Sequence, residues 1–148
     1  MKYSAGIIPF RVNGNGDMEF FVGHPGGTKK NYWAFLKGGV ENDEKWQDTA
    51  IREFKEESGV NMEDCDSSML IPLGSVLQNP RKTTIAYGLY FPNIDESKCF
   101  SNIADDGTTA EIDKYRWMTI DELERVTHPT HMIFYQKLLD LNNEYNKG

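Results

Sequence analysis

The segment GGVENDEKWQDTAIREFKEESGV, residues 38 to 60, constrains the fold of this chain more than any other part of the sequence. It opens on a glycine pair, Gly38 and Gly39, and closes around Gly59. We predict a helix from about Glu44 or Lys45 to Ser58, because Gly59 stands where a left-handed residue commonly ends a helix. Three carboxylates fall within five positions of this helix: Glu53, Glu56 and Glu57.

A helical wheel at about 100° per residue separates the faces of this helix. The predicted core-facing side contains Trp46, Ala50, Ile51 and Phe54, and the three glutamates occupy a sector beside it. Such a sector is unfavourable, since like charges four residues apart cost a few tenths of a kcal/mol and the dipole disfavours anions in the last turns. Two interpretations remain open: a solvated acidic face, which is the usual outcome, or oxygen ligands for a divalent cation such as Mg²⁺, which also binds phosphates.

Composition excludes several classes of protein. The chain has 148 residues and a net charge of -7, which argues against a general nucleic-acid binder, although a metal ion can still bring phosphates to an acidic protein. Two cysteines, Cys65 and Cys99, are too few for a disulfide framework. Neither a secretion signal nor an apolar run of about 20 residues is evident. We therefore expect a soluble, cytoplasmic protein.

Turn residues and hydrophobic patterns predict a layered α/β or α+β domain that covers residues 1–148 without a dividing linker. The predicted strands are residues 3–12, 18–24, 32–36, 69–78, 83–91 and 114–118. Thr119 and Glu122 form a capping box before a helix over 120–126, and a last helix runs from Pro129 to about Leu141. Residues 92–112 are predicted to form a long acidic loop, a length that usually indicates function or mobility.

The glutamate-rich segment resembles the signature of the Nudix hydrolases, G-x5-E-x7-R-E-U-x-E-E-x-G-U, where U is a bulky apolar residue. Every defined position is filled, by Gly38, Glu44, Arg52, Glu53, Phe54, Glu56, Glu57, Gly59 and Val60. More diffuse likeness extends over most of the chain, toward a branch described as predicted nucleoside-triphosphate pyrophosphohydrolases. The resemblance implies a Nudix fold, with a mixed β-sheet sandwiched between helices. It also implies Mg²⁺- or Mn²⁺-dependent hydrolysis of a nucleoside diphosphate linked to another group.

The same resemblance implies roles for individual residues. Glu53, Glu56 and Glu57 would supply metal ligands, and the backbone oxygen of Lys37 would add another. Arg52 would orient a glutamate. The residue that activates water is one of these glutamates or a loop glutamate, with Glu53 as our choice.

Other positions allow two interpretations each. Glu111 either completes the metal site or is an ordinary loop carboxylate. The Lys37 ammonium either meets a substrate phosphate or is a surface lysine, and the Gly38–Gly39 backbone allows close approach of the substrate. The family often has proline before this lysine, where the chain has Leu36. Arg81 and Lys82 either steer an anionic substrate or are ordinary hairpin-tip cations.

Three functional hypotheses follow. The complete signature favours a pyrophosphohydrolase, acting on a nucleoside triphosphate or dinucleoside polyphosphate, over a non-catalytic Nudix-type module that binds a nucleotide as a sensor. An interaction protein that uses its acidic loop has only composition in its favour. Nucleotide sugars also stay open as substrates, nucleic acid is expected only as a capped RNA end, and the sequence does not indicate the oligomeric state.

Overall fold

Strand β1, Lys2–Val12, lies at the centre of a six-stranded mixed sheet in the computed structural model, which describes residues 1–147. The strand order is β4-β5-β1-β2-β6, and β3 pairs with β1 beyond the end of the β1–β2 pairing. β1 and β5 are parallel, whereas every other pair is antiparallel. The other strands are β2 (Met18–Pro25), β3 (Leu36–Gly39), β4 (Ile71–Asn79), β5 (Lys82–Tyr90) and β6 (Ile112–Met118).

Three helices cover the two faces of this sheet: α1 (Trp46–Ser58), α2 (Ile120–Glu124) and α3 (Met132–Lys147). Side chains alternate across a strand, so Ile7 of β1 packs with α1 and Ile8 packs with α3. Burial on both faces gives two apolar cores with the sheet between them. This is the predicted mixed sheet between helices. No helix within residues 1–147 has the length and apolar character needed to cross a bilayer.

Local signals in the sequence predicted several features correctly. Gly59 ends α1 at φ 71°, and Thr119 and Glu122 form both hydrogen bonds of the capping box. Residues 80 and 81 form the turn between β4 and β5. The last residue of the predicted domain, 148, lies outside the described residues.

The predicted strand at residues 32–36 was wrong in its bounds, because β3 begins only at Leu36 and continues through Gly39. The Trp33 amide donates to the Val126 carbonyl instead of a strand, and Ala34 forms only an isolated bridge with Gly23. Trp46 was assigned to the core-facing side of α1, but it is 45% exposed and stacks on Tyr3.

Other bounds also differ from the prediction. β6 begins at Ile112, two residues before the predicted strand, and α3 extends to Lys147, past the predicted end at Leu141. The acidic loop contains a short 3₁₀ turn at Glu96–Lys98. Pro129–His131 form a 3₁₀ turn before α3, which begins at Met132.

Candidate active site

Pairing of β3 with β1 positions the glycine pair of the signature. Lys37 lies opposite Gly6, and Gly38 lies opposite Ala5. After a short loop the chain enters α1, whose apolar face packs on β1 with Ala50 and Phe54 fully buried. The backbone of β3 and the acidic sector of α1 are therefore held side by side.

Gly38 has no room for a side chain, because the Glu53 carboxylate fills that space. A Cβ atom on Gly38 would lie 2.0 Å from Cδ of Glu53, whereas a Cβ on Gly39 would meet nothing within 4 Å. Contacts below 3.0 Å are essentially absent from real structures. Glycine at position 38 therefore defines where the Glu53 carboxylate can lie.

Arg52 connects the helix to the loop before it. Its Nε donates to Glu44 Oε2 at 2.8 Å and its Nη1 donates to Glu53 Oε1 at 2.9 Å. Its Nη2 donates to the Gly39 carbonyl at 3.1 Å. The bonds from Arg52, with a further bond from Thr49, lower the pKa of Glu44 to about 2. Arg52 and Glu44 thus hold the loop and one face of Glu53 in a fixed arrangement.

Glu53 and Glu57 face each other as a carboxylate pair. Glu57 is 9% exposed, and burial, followed by the charges of Glu53 and Glu111, raises its pKa to about 8. Burial also raises the pKa of Glu53, against the lowering influence of Arg52. A low-dielectric environment makes such an unbalanced pair of anions costly, so the arrangement favours a bound proton or cation.

Glu56 lies apart from this pair. Its side chain is 42% exposed, and its carboxylate lies 3.4 Å from Arg52. By contrast, a small cleft of about 180 Å³ brings together Glu57, Glu111 and Lys37. The structure therefore places Glu53, Glu57, Glu111 and Lys37 near one centre, and it leaves Glu56 at the rim.

The paired carboxylates fit a divalent cation that keeps part of its hydration. Within residues 1–147, no group of three His, Cys, Asp or Glu side chains is arranged to hold a metal by itself. Mg²⁺ does not require such a cage, because it commonly binds one or two carboxylates together with waters and substrate phosphates. Glu53 and Glu57, with their unbalanced charge, match that donor set.

Lysine side chains border the acidic centre on the other side. Burial, followed by the neighbouring charge of Lys82, lowers the pKa of Lys37 to about 7, against the raising influence of Glu57. Lys82 and Lys2 line a cleft of about 550 Å³ beside Gly39. Lys2 was not predicted from the sequence, because only the parallel pairing of β1 with β5 places it opposite Lys82.

Two histidines near the cleft have structural partners. The buried His24 ring makes hydrogen bonds with Asp113 at 2.6 Å and with the Lys30 carbonyl at 2.8 Å. The buried His131 ring makes a hydrogen bond with Gln78 at 3.0 Å. These contacts account for both residues as parts of the scaffold.

Comparison with known proteins agrees with this architecture. The family model described as NUDIX domain matches residues 2–140. No curated protein matched the chain. The chain therefore belongs to the NUDIX family, which places it among hydrolases that act on pyrophosphate bonds and that generally use divalent metals.

Solved structures share the fold at low identity. A MutT/nudix family protein from Enterococcus faecalis matches with TM-score 0.60 and 19% identity over 80% of this chain, which spans 43% of that protein. A C. elegans Ap4A hydrolase matches with TM-score 0.70 and 17% identity, over 97% of this chain and 99% of that one. The NUDIX domain of Shewanella oneidensis NrtR, solved with ADP ribose, matches with TM-score 0.67 and 13% identity, over 94% of this chain and 87% of that one.

Proposed function

We propose that this chain is a Mg²⁺- or Mn²⁺-dependent pyrophosphohydrolase that cleaves the diphosphate linkage of a nucleoside diphosphate attached to another group. The observation that carries the proposal is the pair formed by the buried Glu57 and the partly buried Glu53, with Glu53 held in place by Gly38 and Arg52. A purely structural helix would gain by separating these carboxylates or by placing a cation between them. We further propose that residues 1–148 form one such domain and that the protein is cytoplasmic.

The proposed metal ligands are the carboxylates of Glu53, Glu56, Glu57 and Glu111 together with the Lys37 carbonyl. When bound, a divalent cation neutralises phosphate charge and lowers the pKa of a coordinated water. Glu56 reaches this set only if its exposed side chain leaves Arg52.

The chain's own groups then perform the remaining tasks. Glu53 accepts the proton of the attacking water, and the Arg52 guanidinium, 2.9 Å from Glu53 Oε1, orients that carboxylate and opposes the rise in its pKa. Gly38 and Gly39 let the substrate approach the backbone closely. The Lys37 ammonium binds a phosphate oxygen next to the cleaved bond.

Nucleoside triphosphates and dinucleoside polyphosphates are the favoured substrates. Lys37 lies beside Glu57 and Lys82, and Lys82 shares a cleft with Lys2 and Gly39, so the cations extend away from the acidic centre in a way that suits a row of phosphates longer than a diphosphate. The Ap4A hydrolase similarity supports the same class. ADP ribose, the ligand in the similar Shewanella domain, carries only a diphosphate and serves as the contrasting substrate, with nucleotide sugars and a capped RNA end as further contrasts.

A broad panel of phosphorylated nucleotides, assayed with Mg²⁺ or Mn²⁺ and with product identification, tests the proposal. We expect release of a nucleoside phosphate, with ¹⁸O from water appearing on one phosphorus, and a loss of turnover in Glu57→Gln. Binding across the panel without any turnover would instead identify a non-catalytic sensor and contradict the proposal.

A further inference from the structure

The C-terminal end of α1 has an external partner for nearly every free carbonyl. The last four carbonyls of a helix have no partner inside the helix. In α1 the first of them, Lys55, accepts from the Gly59 amide at 2.9 Å. The other three belong to Glu56, Glu57 and Ser58, and all accept from residues 100 to 115.

Residues 99–115, which we call the strap, supply those three donors. The Phe100 amide donates to the Ser58 carbonyl at 3.0 Å, and the Asn102 amide donates to the Glu56 carbonyl at 2.9 Å. The Tyr115 hydroxyl donates to the Glu57 carbonyl at 2.5 Å. The strap is therefore bonded to the same helical turn that carries the proposed metal ligands.

The strap also carries Glu111, and its course at that point is tightly fixed. The Glu111 amide donates to the Asn102 carbonyl at 3.0 Å, and the Glu111 carbonyl accepts from the Gly26 amide at 2.9 Å. A Cβ on Gly26 would lie 1.7 Å from the Ala110 carbonyl oxygen. Glu111 therefore faces Glu57 across the small cleft, because the strap that carries Glu111 is also hydrogen-bonded to the C-terminal end of α1.

Among the three strap donors, only Tyr115 uses its side chain, so only this contact can be removed without changing the backbone. The Tyr115 ring stacks on Phe21 with centroids 5.9 Å apart and an interplanar angle of 16°. Its backbone belongs to β6, where it pairs with Gly23 of β2. The hydroxyl is thus presented to Glu57 from a rigid, packed support.

We propose that Tyr115 is a positioning residue, whose hydroxyl bond to the Glu57 carbonyl sets the Glu57 carboxylate against Glu53 and Glu111. This inference rests on the proposed function. It assigns a role in the hydrolysis to a residue that lies outside the signature and outside the glycine loop.

Tyr115→Phe keeps the stacked ring and removes only the hydroxyl. Loss of one hydrogen bond commonly changes an equilibrium by a factor of roughly 2 to 10, so we expect Mn²⁺ to bind about fivefold more weakly in electron paramagnetic resonance titrations. At saturating Mn²⁺ we expect kcat to fall by a similar factor with KM unchanged. Mn²⁺ binding and the steady-state kinetics are both measured well below the unfolding temperature of the variant.

Ile8→Val provides the control, because it removes a methyl group from the core on the opposite face of the sheet. It should lower the unfolding temperature while Mn²⁺ binding and kcat stay at wild-type values. Unaltered Mn²⁺ binding and kcat in Tyr115→Phe, even with a lower unfolding temperature, would overturn the positioning role alone. A wild-type protein that neither binds Mn²⁺ nor turns over any nucleotide would overturn the proposed function and this inference with it.

Discussion

Gly38 illustrates how one missing side chain shapes the site at the scale of single residues. Gly38→Ala would place a methyl group where the Glu53 carboxylate lies, so that carboxylate must leave its present position. Because displacement by about 1 Å can cost roughly 100-fold in rate, we expect kcat to fall by roughly 10- to 100-fold, measured by steady-state hydrolysis. Gly14→Ala is the control, since a Cβ there also meets nothing within 4 Å and Gly14 lies in the turn between β1 and β2, outside the site; equal losses in both variants would contradict this account.

The Glu53–Glu57 pair should make the metal-free protein less stable at higher pH. A carboxyl whose folded pKa of about 8 exceeds its unfolded value binds more protons when folded, so stability falls as pH rises from about 4.5 to 8. Glu57→Gln removes this loss, and we expect a gain of about 1 to 3 kcal/mol at pH 7.5 without metal. Urea unfolding of both proteins in a chelating buffer at several pH values measures this gain in the free energy of unfolding.

Glu56→Gln tests whether the effect on metal-free stability belongs to Glu57 alone or also to its neighbour Glu56. Because Glu56 is exposed beside Arg52, its substitution should leave metal-free stability within about 0.5 kcal/mol of wild type. A stabilisation in Glu56→Gln as large as that in Glu57→Gln would show that the unfavourable charge is not localised at the Glu53–Glu57 pair.

At the scale of elements, features encoded within a few residues could be predicted, and features set by distant contacts could not. Gly59 ended α1 as predicted, since its left-handed conformation needs no tertiary partner. The strand at residues 32–36 failed because the Val126 carbonyl, which is remote in sequence, takes the Trp33 amide. Of the candidate site, the spacing of α1 put Glu53 beside Glu57, but the burial of Glu57 in a cleft with Lys37 and Glu111 involves residues remote in sequence and could not be predicted.

The 3₁₀ turn that leads into α3 contains a buried titratable group. Burial, followed by the charge of Lys37, lowers the pKa of His131 to about 3. The unfolded chain binds a proton near pH 6.5 and the folded chain does not, so the contribution of His131 to stability falls as pH drops below about 6.5, opposite to the trend from Glu57. In the Glu57→Gln background, which removes that opposite trend, His131→Gln retains a donor for Gln78 and should flatten the stability profile between pH 5 and 6.5, as measured by chemical unfolding. A Glu57→Gln profile that is already flat there would contradict a neutral, buried His131.

At the scale of the whole molecule, a chain of net charge -7 must bind a polyanion. Its overall field repels such a substrate, so we expect binding to depend on the proposed metal ion and on local cations. Three lysines lie on the central strands because β3 and β5 both pair with β1. We call this group the cationic edge: Lys2, Lys37 and Lys82. The topology of the sheet therefore produces a cationic edge that the average charge conceals.

Lys82→Gln tests whether this edge binds phosphates. A hydrogen bond between charged groups contributes more than a neutral one, so we expect KM for a nucleoside triphosphate to rise about five- to tenfold while KM for ADP ribose changes less. Lys55→Gln is the matched control: Lys55 is exposed on α1, and both variants lower the net charge by one unit. If KM rises equally in both, the effect comes from the overall field and not from the edge. Added salt should raise the wild-type KM more than that of Lys82→Gln, since salt screens the contact that the variant already lacks.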